Sequence, residues 1–132
     1  MPSDRSPSYR TLSILLLSGT QERAHYAFLL ASAAAALGRR VVLFATNQGC
    51  LALAADWSGL ADAGRDDAVR ASGVAGLEAL RAAALELGVR LIACESGLRM
   101  AGIDPAGLLA QVELAGVATF LEAVGDGQMM TL

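Results

Sequence analysis

TLSILLLSGTQERAHYAFLLASAAAALGRRVVLFAT, residues 11–46, decides how this chain folds. Thr11–Ser18 is almost wholly apolar and ends at Gly19, the pattern of a short strand buried on both faces, as in a parallel sheet. Gln21–Leu37 then carries alanine, leucine and phenylalanine at helical spacing, and Gly38 stops it. Arg40–Thr46 (RVVLFAT) returns to β-branched and aromatic residues and reads as a second strand. Strand, helix and strand within about 36 residues form a βαβ unit.

The same alternation continues outward. Leu51–Trp57 suits a helical turn, and Asp56–Gly73 mixes charges with glycines as an exposed loop or a broken helix does. With no apolar period to hold it, this segment is expected to be the most mobile after the N-terminal tail and to cover a crevice at the strand ends. Val74–Leu87 is a helix closed by Gly88, and Val89–Cys94 (VRLIAC) is the third strand. Ser96–Ala101 starts another helix, and Asp104-Pro105 begins a further one with Asp as cap and Pro in the first turn. Val112–Ala115 reads as a short strand, Val117–Val124 as a helix and Gln128–Leu132 as the last strand. The fold class is therefore α/β: a three-layer α/β/α sandwich with a mostly parallel sheet of about five strands. Residues 1–10, polar and with two prolines, read as a frayed tail ahead of one domain over residues 11–132.

Composition narrows the function. Apolar residues make up 55% of the 132 residues and charged residues 17%, which excludes a disordered chain. So few charges on so small a body imply that other subunits cover some of its surface, and a homo-oligomer is expected. The net charge is −3 and the densest positive spot is Arg39-Arg40, so nucleic-acid binding by phosphate neutralisation is not expected. No apolar stretch reaches the roughly 20 residues that a membrane span needs. Two cysteines without an export signal point to the reducing cytoplasm. The chain has no glycine-rich phosphate loop, no C-x-x-C and no G-x-S-x-G, so no motif calls for a cofactor or a metal.

The order of these pieces resembles the DsrE/DsrF-like family. LSILLLSG, followed by AFLLASAAAALGRRVVLFATNQG, is similar to the family's opening strand, alanine-rich helix and second strand. LIACESGLRMAGI (residues 91–103) resembles its strand that ends in cysteine and enters a short helix closed by Gly-Ile. VELAGVATFL (residues 112–121) and the closing QMMTL resemble its last segments, and only Asp56–Gly73 lacks a counterpart. The resemblance implies a five-stranded parallel sheet, a compact oligomer (a trimer or larger) and sulfur relay through a cysteine persulfide, with protein partners as sulfur donor and acceptor.

Cys94 is the first candidate residue, because it stands where a strand meets a helix N-terminus. Ligands of open α/β sheets gather at such strand ends, and the backbone N–H groups there favour an anion. A thiolate is the form of cysteine that attacks sulfur, and a persulfide is anionic too. The N–H groups of the Glu95–Gly97 turn, with Ser96 and Gly97 as binding candidates, would face the sulfur at the mouth of a pocket. Glu95 would oppose the thiolate unless Arg99 offsets it. Cys50 lies in the loop Asn47-Gln48-Gly49-Cys50 after the second strand, at the same end of the sheet. It is either a resolving thiol for Cys94 or an ordinary loop cysteine. Asn47 and Gly49 of that loop are candidates for binding at the crevice, and Thr20 and Arg23 after the first strand for binding an anion there; His25, the only histidine, is either an acid or base near that crevice or a helix-surface residue. Three functions compete: a sulfur carrier or sulfurtransferase, a non-catalytic ligand-binding or assembly module, and a thiol redox protein.

Overall fold

The structure, a computed structural model, describes residues 10–132. Residues 1–9, most of the expected tail, lie outside the described residues. Arg10 is held against the domain, its guanidinium donating to the carbonyls of Asp126 and Gly127.

The opening βαβ unit forms as the sequence implies. β1 (Leu12–Leu16) pairs in parallel with β2 (Val41–Ala45), with Leu12 opposite Val41 and Leu16 opposite Ala45. Between them runs α1 (Gln21–Ala36), capped by the Thr20 hydroxyl, which accepts a hydrogen bond from the Arg23 N–H. β3 (Arg90–Cys94), β4 (Glu113–Ala115) and β5 (Gln128–Thr131) complete a five-stranded sheet in the order β4-β3-β2-β1-β5, with every pairing parallel.

That order explains the layers. Parallel crossovers are right-handed, so connections that step in one direction along the sheet put their helices on one face. The chain steps from β1 through β2 and β3 to β4, and α1 and α3 (Leu77–Glu86) share one face over Leu12, Ile14, Leu16, Leu43 and Leu91. Only the return from β4 to β5 reverses direction, so α5 (Val117–Val124) sits on the opposite face. There Phe120 stacks on Phe44, with ring centroids 4.5 Å apart, above a smaller cluster of Val42, Ile92 and Cys94. One face is thick and the other thin. Val117 and Leu121 of α5 and Met129 of β5, which follows Ser13 in register on the thin side, remain about half exposed.

The middle of the chain departs from its sequence pattern. The expected turn at Leu51–Trp57 is a 3₁₀ run that starts earlier, Asn47–Leu53, followed by a 3₁₀ turn at Trp57–Gly59. Arg81 of α3 is buried and donates to the carbonyls of Ala52, Ala54 and Ala55, which ties that run to the helix layer. Within Asp56–Gly73 lies a real helix, α2 (Arg65–Ala71). Polar groups anchor it instead of apolar ones: the buried Asp66 carboxylate accepts from the Gln21 side chain at 2.9 Å and from the Leu77 N–H at 2.8 Å. The backbone also bonds Ala61 to Gly19 and Gln21, so the segment lies beside the end of β1, two strands from β3. Asp104-Pro105 opens only a 3₁₀ turn, Pro105–Gly107. No helix among the described residues is long and apolar enough to cross a membrane.

Candidate functional site

Cys94 is the last residue of β3 and the N-cap of α4 (Glu95–Ala101), so no loop separates strand from helix. Alternation along β3 turns Leu91 and Ala93 toward the helices of the thick face, and Ile92 and Cys94 toward the thin one. Cys94 is 1% exposed, but Ser96, whose hydroxyl lies 3.3 Å from the Cys94 sulfur, is exposed. The thiol therefore sits just beneath the surface, buried instead of open at the pocket mouth expected there.

Burial is the largest influence on this thiol and raises its pKa. Against it act the hydroxyls of Ser96 and Thr46 and the backbone N–H groups of Gly97 and Ser96, and together they bring it below its ordinary value. Of the expected Glu95–Gly97 turn, the N–H groups of Ser96 and Gly97 act on the sulfur. Gly97 is also a packing requirement: a methyl carbon there would collide with Thr46 Oγ1 and the Asn47 nitrogen. Thr46 escaped the sequence reading. It is the residue after Ala45, which pairs with Ala93, and so it stands beside Cys94 only because β2 and β3 are neighbours.

Glu95 and Arg99 do not play the parts expected of them. Both line a separate, mainly apolar cavity of about 130 Å³ with Leu98, Ile103, Pro105 and Leu114, and neither is among the groups acting on the sulfur. Leu114 follows Ala93 in register, which puts the cavity on the other face of the sheet from the Cys94 side chain.

Cys50 is fully buried in the thick-face core and donates to the Ala45 carbonyl at 3.4 Å. Burial pushes its thiol up to about 11, although the Cys94 N–H donates to it and pulls the other way. Both cysteines are free, with Cys50 against the Cys94 backbone and the two side chains in different core clusters. Asn47, at φ 52°, and Gly49 shape the turn that carries Cys50; a side chain on Gly49 would collide with the Leu16 carbonyl oxygen.

The remaining candidates gather elsewhere. Thr20 is spent on capping α1. His25 is buried, contrary to the surface placement, and its Nε2 lies 2.8 Å from the Ala75 carbonyl, pinning α1 to the segment before α3. Arg23 is exposed beside Glu22, Tyr26 and Leu132, where β1 and β5 end. This region is two strands, about 10 Å, from β3.

A strand ending in cysteine, a helix that starts on the next residue and a parallel five-stranded sheet in this order can be set against known proteins. The family model described as the DsrE/DsrF-like family matches residues 12–132. The chain belongs to that family. Two solved structures of similar fold are a protein of unknown function, MTH1491 from Methanobacterium thermoautotrophicum, and the ychN protein from E. coli. The first is 21% identical with a TM-score of 0.58, and the second 13% identical with a TM-score of 0.59. Each comparison covers 95% of this chain and all of the other. At such identities the likeness concerns the fold. A search of curated proteins gives no match.

Proposed function

We propose that this DsrE/DsrF-like protein is a cytoplasmic sulfur carrier that relays sulfane sulfur through a persulfide on Cys94. The observation that carries this reading is the set of donors around the Cys94 sulfur, which favours the anion despite burial. The Cys94 thiolate attacks the outer sulfur of a donor persulfide. A new S–S bond forms, the donor's S–S bond breaks, and the donor leaves as a thiolate, so the exchange needs no outside oxidant. The same hydroxyls and N–H groups then face an anionic persulfide, and the cover of α5 shields it from solvent. An acceptor thiolate removes the outer sulfur by the reverse chemistry.

Other copies of the chain complete the protein in this reading, in a trimer or larger assembly that covers the thin face, where Val117, Leu121 and Met129 stand exposed. The thiol redox alternative needs a resolving thiolate, and a Cys50 thiol pushed to about 11 disfavours one at neutral pH. The non-catalytic alternative is separated by experiment. Protein incubated with inorganic polysulfide should gain about 32 Da on Cys94, reversed by a reductant. Cys94→Ser should abolish the gain and Cys50→Ser should preserve it. No gain on Cys94 would leave the binding-module reading, and a Cys50–Cys94 disulfide in its place would favour the redox one.

A further inference from the structure

We propose that Thr46 orients the Cys94 sulfur: its hydroxyl is a second donor, opposite Ser96, that holds the sulfur in its anionic forms. The inference rests on the reading of Cys94 as the sulfur-bearing residue. It starts from register. Ala45 and Ala93 are the last pair between β2 and β3, and Thr46 and Cys94 are the next residue on each strand. The Thr46 N–H still bonds the Leu16 carbonyl of β1, so Thr46 continues the line of β2 beside Cys94. Strand alternation then sends both side chains toward the thin face, on the side of Phe44 and Ile92.

Packing supports the placement independently. Gly97 brings the first turn of α4 so close to Thr46 Oγ1 that no side chain fits between them, which leaves the hydroxyl little freedom to move away from the Cys94–Ser96 corner. The Thr46 hydroxyl has the Asn47 Oδ1 at 3.5 Å, the long limit of a hydrogen bond. An acceptor held so weakly loses the proton to a thiolate, because bonds to ionised acceptors are shorter and stronger. Hydrogen bonding from Thr46 is also one of the influences that lower the Cys94 pKa.

The charged and titratable groups around the sulfur leave this donor exposed to measurement. The 3₁₀ run contributes Cys50, whose thiol is neutral until about pH 11. Glu95 and Arg99 of α4 line the other cavity, Glu113 of β4 is paired with Arg90 of β3, and α5 contributes Phe120, Ala123 and Val124.

The test is a titration of the ultraviolet thiolate absorbance, with Cys94→Ser as blank, since this reads the sulfur without needing access to it. Thr46→Val keeps the shape and removes the donor; Thr46→Ala does so without bulk should Val fail to fit against Gly97. Either should move the Cys94 midpoint upward and cut the thiolate fraction below the midpoint about tenfold, the effect of one hydrogen bond to a charged group. Thr46→Ser, which keeps the hydroxyl, should titrate like the parent. Midpoints unchanged in Thr46→Val and Thr46→Ala would overturn the proposal. Failure of sulfur loading with a shifted midpoint would instead remove the carrier reading and leave Thr46 as the donor.

Discussion

Burial alone would raise the pKa of both cysteines, yet only Cys50 ends high, at about 11. The difference lies in the neighbours: Cys94 has two hydroxyls and two N–H groups facing its sulfur, and Cys50 gives its own proton to a carbonyl. Cys50 should therefore make the fold sensitive to alkali. Its folded value lies above the ordinary 9.0, so the neutral thiol is favoured in the fold. That contribution is complete below pH 9 and is lost as the pH rises through about 11. All ten basic side chains are arginine, so no lysine titrates in that window. Denaturant unfolding should show a loss of about 2–3 kcal/mol between these limits, at 1.36 kcal/mol per unit, and Cys50→Ala should flatten the slope. Glu95 makes the opposite prediction. Because its carboxylate lines the separate cavity, Glu95→Gln should leave the Cys94 thiolate titration unchanged. A midpoint that falls in that variant would show that the charge does reach the sulfur.

Elements are held here by a few buried polar contacts as much as by apolar stripes. α2 has seven residues, too short to stand alone, and its buried side chain is the acid Asp66. That carboxylate joins three elements by accepting from Gln21 on α1 and from the first N–H of α3, while Arg70 pairs with it at 3.4 Å. Asp66→Ala leaves the Gln21 amide and the Leu77 N–H buried without an acceptor. It should cost about 2–4 kcal/mol, read as a lower midpoint of denaturant unfolding. A loss below about 0.5 kcal/mol would mean that water replaces the carboxylate. The alanine-rich α1 was legible because its apolar residues recur at helical spacing. Asp56–Gly73 was not, because Asp66 reads as a surface charge until Gln21, 45 residues away, is placed beside it.

The whole molecule is asymmetric because its connections are. One reversal in strand order leaves α5 alone on its face, with Val117 and Leu121 on its outer side. Their exposure suits burial against other copies of the chain. Light scattering at micromolar concentration should report a trimer or larger species, and Leu121→Glu should shift it toward monomer without unfolding the chain. A monomer peak from the parent protein would count against this assembly and leave Leu121 as ordinary exposed apolar surface.

The five strands, the α/β class and the cysteine at a strand–helix junction are properties of the sequence itself. Each depends on local period, on stops such as Gly19 and Gly38, and on residues adjacent in the chain. The family resemblance draws on the same ordered segments. What surrounds the cysteine was decided only in three dimensions. Thr46 reaches Cys94 through the pairing of β2 with β3, and Cys50 and Cys94 enter different core clusters through strand alternation and the 3₁₀ turn. Arg99, four residues after Glu95 on α4, lines a cavity away from the thiol it was expected to neighbour. Sequence spacing specifies which side chains share a strand or a helix face. The environment of a sulfur is set by neighbours distant in the chain, and only the strand order and the direction of each crossover bring them together.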